Sequence, residues 1–343
     1  KMYLNTKSVH MRVESDSGAI TTKSAAWQYL AAARITGVSP AYGQVSTQVT
    51  IAGVHLLGGG SSVDTVDLAG TEANIVSYTD EQVVVDVNVA DAKTGQITMV
   101  SDTGAVVWLA DAWEYKTTGI VDAVSPAYGQ YKTSVTISGT DLQGHGSAVV
   151  SVTLGGVSSE IVSEAVDSVV VIADASAAQT GAVVLTADTG AVVRLSSGFE
   201  YREIGAIDAL DPASGQVGTK VTITGSNLLG HGEEIDSITL GGVEVADIVS
   251  QAADEIVVVV SDGPAVESVG DVVITADTGA LVESADGWKY LQPGRISTVS
   301  PNQGRVNSQI TIFGNNLCGG GSTVVSVSLV GQEAVLGDVS NCD

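Results

Sequence analysis

The chain repeats itself, and that repeat constrains the fold more than any other feature. Ser-Pro-Ala-Tyr-Gly-Gln occurs at Ser39–Gln44 and again at Ser125–Gln130, with weaker copies at Asp211–Gln216 and Ser300–Arg305. The prolines Pro40, Pro126, Pro212 and Pro301 are spaced 86, 86 and 89 residues apart. A second marker keeps the same phase: Asp16-Ser17-Gly18, Asp102-Thr103-Gly104, Asp188-Thr189-Gly190 and Asp277-Thr278-Gly279. So does an aromatic pair, Trp27/Tyr29, Trp113/Tyr115, Phe199/Tyr201 and Trp288/Tyr290. A period of this length means one structural unit used several times.

Within a unit the pattern is that of strands. Val9, Met11 and Val13 alternate with His10, Arg12 and Glu14, and Val325, Val327 and Leu329 follow the same two-residue period. Runs such as Val83–Val89 and Ile256–Val260 are β-branched and bounded by Gly, Asp or Ser. Nothing sustains a helical period. About seven short strands per repeat, separated by turns, is the rhythm of an immunoglobulin-like sandwich.

The residues that carry a family resemblance are Ile35 to Pro40, Gly43, Val49 to Gly53, His55-Leu56, Val66 to Gly70, Asp102 to Gly104 and Trp113 to Tyr115. Their joint spacing resembles the IPT/TIG module, the immunoglobulin-like fold of plexins, other cell-surface receptors and some transcription factors. The resemblance implies an all-β tandem array of sandwiches of about 86 residues. It implies much less about function, because sandwiches host many roles. The DNA-binding relatives use basic loops, which this sequence lacks.

The expected organisation is the C-terminal part of a domain over 1–33, whole domains over 34–119, 120–205 and 206–294, and the N-terminal part of a domain over 295–343. The two partial repeats nearly tile one domain. Half a sandwich leaves its inner face bare and its edge strands unpaired, and strand addition from another copy is the remedy. The expected subunit interface therefore joins Val9, Met11, Val13, Trp27 and Tyr29 of one copy to Ile310, Ile312, Val325, Val327 and Leu329 of the next. Such a contact is head-to-tail and builds a filament or a ring. The alternative is a window cut from a longer array, with the missing halves supplied covalently. Lys1, rather than Met, at the start fits a processed product or a piece of a longer polypeptide.

Charge limits the function classes. Lys plus Arg number 14 against 39 Asp plus Glu, a formal net charge of -25, which repels a phosphate backbone and excludes nucleic acid as a partner. Only 15% of residues are charged and 44% are hydrophobic, too apolar for an acidic disordered tail. No apolar run reaches the length of a membrane-spanning helix. The apolar surplus fits lateral contacts between fibres, or simply Ala and Thr tolerated on sandwich surfaces.

Several chemical readings compete with structural ones. Asp-Thr-Gly-Ala at 102, 188 and 277 matches an aspartic-protease loop, but recurrence at one phase in every repeat points to a strand-joining turn. Carboxylates such as Asp102, Asp111, Glu114 and Asp122 could converge on Ca²⁺; otherwise they are solvated acids. His145 and His231 share a Gly-His-Gly setting that reads as loop rather than metal ligand. Gly58-Gly59-Gly60 and Gly319-Gly320-Gly321 lack the Lys of a phosphate loop and read as turns. No catalytic set stands out, and the expectation is a protein that is not an enzyme and needs no cofactor. Cys318 and Cys342, the chain's two cysteines, lie in one partial repeat, and an expected disulfide between them would close a loop of about 25 residues. Free buried thiols are the alternative. No Asn-x-Ser/Thr site occurs, so carbohydrate would have to be O-linked. The functional expectation is a structural subunit of an extracellular or cell-surface filament, with an adhesion or receptor ectodomain as the alternative.

Overall fold

A computed structural model describes residues 8–337. It is built of strands, with no helix among the described residues. Three separate hydrophobic cores follow one another along the chain, spanning Ile35 to Tyr115, Val121 to Tyr201 and Val221 to Tyr290. Their domains open on the strands Arg34–Ser39, Ile120–Ser125 and Ala206–Asp211.

The first whole domain shows the plan. One sheet has the order Arg34–Ser39, Gln48–Val54, Gln82–Asp86, Asn74–Tyr78. The facing sheet has the order Tyr42–Gly43, Val106–Tyr115, Lys93–Ser101, Val63–Leu68, Thr71–Glu72. The third domain repeats both sheets. In the middle domain one long strand, Val157–Glu164, pairs with both Val149–Leu154 and Ser168–Ile172 and fuses them into a single eight-stranded sheet. The architecture is an immunoglobulin-like β-sandwich used in tandem.

Alternation sets the core. Val49 pairs with Val85 and Ile51 with Val83 across the first sheet, and all four are fully buried. Ile97 and Met99 meet them from the second sheet. Because aromatics are scarce, one edge-on pair per domain fills the end of each core. Trp113 and Tyr115 lie 5.6 Å apart at 88°, and Phe199/Tyr201 and Trp288/Tyr290 repeat the arrangement.

The alternation is broken at one place that matters later. Lys93–Ser101 shifts register against Val63–Leu68 between Val100 and Ser101. This bulge turns Val63 inward and leaves both Asp64 and Thr65 outside before Val66 and Leu68 face in again.

The Ser-Pro-Ala-Tyr-Gly-Gln motif marks where the chain changes sheet. Each of the four prolines follows a cis peptide bond. Past it, Tyr42–Gly43 runs parallel to Glu114–Tyr115 in the opposite sheet. Gly43 is needed there, since a Cβ would lie 2.5 Å from the Thr47 hydroxyl. That hydroxyl accepts the Gln44 N–H at 3.1 Å.

Candidate assembly interface

The two ends of the described chain each repeat a different part of the whole-domain fold. Residues Ser8–Glu14 and Ile20–Gln28 form a two-stranded hairpin with the register of Lys93–Ser101 on Val106–Tyr115: Val9 sits opposite Trp27 as Gly95 sits opposite Trp113, with the same bulge after it. At the other end Arg295–Ser300 pairs with Thr311–Asn315 as Arg34–Ser39 pairs with Gln48–Val54.

Side chains that would form a core are bare in these halves. Met11, Val13, Trp27 and Tyr29 are 50%, 61%, 56% and 64% exposed, whereas their counterparts Ile97, Met99, Trp113 and Tyr115 are buried to 1% or less. Trp27 and Tyr29 already hold the edge-on geometry, 6.2 Å apart at 77°. Ile310 and Ile312 are half-buried at the places of the fully buried Val49 and Ile51. Val327 and Leu329 take the places of Val66 and Leu68, and Leu329 is exposed.

Two expected interface residues, Val325 and Val9, fall at positions that the whole domains use differently. Val325 corresponds to Asp64, the outward position created by the bulge, and is itself 82% exposed; Val324, not Val325, takes the inward place of Val63. Strict alternation from Val327 passes over the bulge that the whole domains carry at this point, because the sequence does not announce it. Val9, whose side chain lies outside the described set, stands at the backbone position of Gly95. That glycine is pressed against the turn at Ala69: a Cβ on it would lie 2.8 Å from the Ala69 Cβ. Gly181 and Gly270 face Gly155 and Gly241 equally closely. By position, the matching pair from the two chain ends is Val9 and Val330.

The junctions between whole domains hold the residues whose role the sequence did not reveal. Gln44 is buried at the first junction. Its Oε1 accepts the linker N–H of Gly119 at 2.8 Å, and its Nε2 donates to the Val192 carbonyl of the next domain at 2.9 Å. Gln130 does the same with Gly205 and Leu281, both at 2.8 Å. The Asp-Thr-Gly turn of the following domain docks against the same edge. The Gln48 N–H donates to the Thr189 carbonyl and the Ser134 N–H to the Thr278 carbonyl, each at 2.8 Å. In return Val192 N–H reaches the Val45 carbonyl at 3.5 Å, and Leu281 N–H reaches that of Tyr131 at 3.2 Å. The signal was the Gln that closes the motif in three repeats and gives way to Arg305 in the last.

The aspartate of each turn serves its own domain. Asp102 accepts from the Ser61 N–H and, at 2.6 Å, from its hydroxyl. Asp188 accepts from both groups of Ser147, and Asp277 from the Glu233 N–H. The Ser61 and Ser147 hydrogen bonds hold Asp102 and Asp188 below the usual carboxylate range. These are turns, with glycine at positive φ two residues on. Asp102, Asp111, Glu114 and Asp122 are not brought together for Ca²⁺: among the described residues no group of three or more His, Cys, Asp or Glu is placed to hold a metal, and Glu114 pairs with Lys116 at 2.7 Å. His145 and His231 each bond a linker carbonyl, Thr117 and Glu203, at 2.7 Å; since a carbonyl only accepts, that ring nitrogen carries a proton. Cys318 is not a free thiol, and Cys342 lies outside the described residues.

Fold and junctions together define a tandem array of immunoglobulin-like sandwiches clamped end to end. The IPT/TIG domain model matches residues 33–111, 120–201 and 206–290, and the chain belongs to that family. No curated protein matches it. Among solved structures it is similar to the plexin A4 full extracellular region, at 18% identity and a TM-score of 0.42, over 90% of this chain and 28% of that one. It is also similar to the SGBP-B of a Bacteroides ovatus mixed-linkage glucan utilization locus, in complex with a mixed-linkage heptasaccharide, at 15% identity and TM-score 0.22, over 78% and 72% of the two chains. The titin I9–I11 tandem matches at 10% and 0.22, over 74% and 95%. At such scores these likenesses carry no functional argument.

Proposed function

We propose that the chain is a structural, non-catalytic subunit of an extracellular or cell-surface filament, in which each copy completes the split domain of the next. One observation supports the reading: inner-face positions that are sealed in three whole domains lie open at the two ends, Met11, Val13, Trp27 and Tyr29 at one and Leu329 at the other, with Ile310 and Ile312 only half-buried. The partners are other copies, arranged head to tail. No helix is long and apolar enough to cross a membrane among the described residues. Electron microscopy of the purified chain tests this. Uniform fibres are expected, and Met11→Asp, which puts a carboxylate at the fully buried place of Ile97, should abolish them. His10→Asp, at the exposed place of Gln96, should leave them intact.

A second reading has its own support. If the missing halves come from a longer chain, Val9 and Val330 belong to different domains and never meet, which removes the crowding that Gly95, Gly181 and Gly270 avoid. The array would then be the stalk or ligand surface of an adhesion or receptor ectodomain. Flexible monomeric rods, with no fibres at any concentration, are its signature.

A further inference from the structure

The junction contacts come in pairs, an edge and a turn, and the chain has one of each left over on its whole domains. The edges at Val45 and Tyr131 are half-buried because the turns of the following domains sit on them. The same edge on the third whole domain is open: Val217 is 54% exposed, and no bond like those of Gln48 and Ser134 reaches Lys220 among the described residues. Conversely, the turns ending at Val192 and Leu281 are seated, while the turn of the first whole domain, ending at Val106, is not. The halves supply the missing counterparts: the Asp16–Ile20 turn with Ile20 exposed, and an edge at Val306 that is 93% exposed.

Gln216 is poised for such a partner. Its Oε1 already accepts the Gly294 N–H at 2.6 Å, as Gln44 and Gln130 accept from their linkers. Its Nε2 instead lies 2.4 Å from where a Cβ on Gly319 would be. At the equivalent Gly58, Gly144 and Gly230 that neighbouring space is held by the Cβ of Ala105, Ala191 or Ala280, the residue after the turn glycine. Ala19 is the matching residue of the hairpin.

We infer that the split domain, once completed by a second copy, is clamped on both flanks by contacts between copies. This rests on the split-domain reading and adds two interfaces to it. On one flank the Asp16–Ile20 turn of the incoming copy seats on the Gln216–Lys220 edge: the Lys220 N–H donates to the Ser17 carbonyl, Ile20 N–H donates to the Val217 carbonyl, and Gln216 Nε2 turns to the Ile20 carbonyl as Ala19 takes the space beside Gly319. On the other flank the incoming copy's Thr103 carbonyl and Val106 N–H meet the Gln309 N–H and the Val306 carbonyl. The second clamp is weaker, because Arg305 replaces the glutamine. A guanidinium donates to the Val106 carbonyl but has no acceptor for the Ala33 N–H that stands where Gly119 does.

Hydrogen exchange on the wild-type protein, before and after assembly, tests this. The amides of Lys220, Ile20, Val106 and Gln309 are expected to slow at least tenfold on assembly, along with that of Met11 in the completed core. Slowing at Met11 without slowing at Lys220 and Gln309 overturns the clamps and leaves the split domain standing. A chain that never assembles removes both. As an independent check, Ile20→Cys with Val217→Cys should give a ladder of disulfide-linked copies on a non-reducing gel. Val45→Cys with Val192→Cys, at a junction already formed within the chain, calibrates the geometry; linkage in that reference and none in the test pair also overturns the clamp.

Discussion

Asp102 and Asp188 show how one residue type in one motif acquires a structural charge. Each accepts hydrogen bonds from a serine in the facing loop, and these hold its carboxyl below the usual value. The folded state then binds fewer protons than the unfolded one, so the contribution is fully present above the ordinary carboxylate pKa and is lost as pH falls through the depressed value. Denaturant melts between pH 7 and 3 should show a decline below about pH 4, and Asp102→Asn with Asp188→Asn should flatten it. Both aspartates are exposed, so the change in slope is the signature, not a large loss at neutral pH. A second residue-scale test concerns crowding. In the split-domain reading, Val330→Gly restores at one side the pairing that Gly155 and Gly241 make, and should lower the concentration at which fibres appear. A rise, or a loss of fibres, would mean that Val330 contributes more by packing than it costs by crowding. The disulfide is the third. Peptide mapping without reductant is expected to return Cys318 linked to Cys342 of the same chain. Linkage to another chain would replace the staple with a cross-link between copies.

At the scale of elements, the linker and the docked turn form one device around the glutamine. Gly119 and Gly205 are pressed so close to the Asp141 and Asn227 carbonyls, 2.3 and 2.4 Å from a would-be Cβ, that no larger residue fits without a shift. Their N–H groups are then satisfied by Gln44 and Gln130. Removing the amide leaves a buried donor without an acceptor, a penalty of about 1–3 kcal/mol. Gln130→Ala is therefore expected to loosen the second junction while leaving the fold of each domain intact: small-angle scattering should report a shorter maximum dimension and a broader distance distribution, with unchanged near-ultraviolet circular dichroism. Unaltered scattering would mean that the turn contacts alone fix the domain orientation. Arg305→Gln makes the converse change at the split domain and should stiffen fibres, read as a longer persistence length in micrographs.

For the whole molecule, stability and the proposed assembly draw on the same repeated unit. Each domain buries its own core, so the array is a chain of independent sandwiches joined by nearest-neighbour contacts. In the proposed head-to-tail assembly, a contact made from that unit's own strands would preserve the junction geometry across copies, and the copies would continue the spacing of the domains. A net charge of -25 would keep such proposed fibres apart at low ionic strength. Lateral bundling should accordingly increase with added salt, measured by turbidity, while the length of single fibres stays the same.

The repeat period, the strand pattern and the absence of helical spacing were legible in the residues, because alternation and turn chemistry are local and recur at one phase in every copy. So were the apolar positions of the two partial repeats on which the proposed assembly rests, since each keeps its alternating residues in the sequence for anyone to count. The Asp-Thr-Gly motif could be recognised as a turn, but not as the piece that docks onto the preceding domain, because docking depends on which edge lies beside it. Gln44, Gln130 and Gln216 stood in the most visible motif of the chain without a role. Their partners at Gly119, Gly205 and Gly294 lie 75, 75 and 78 residues away and come close only when one sandwich is stacked on the next. The outward place of Asp64, to which Val325 corresponds, was hidden for a related reason: a bulge is decided by the pairing of two strands, and its shift from inside to outside appears in neither strand alone. What was local and periodic could be read in one dimension; the clamps, the bulge and the close approach at Gly95 exist only where distant segments meet.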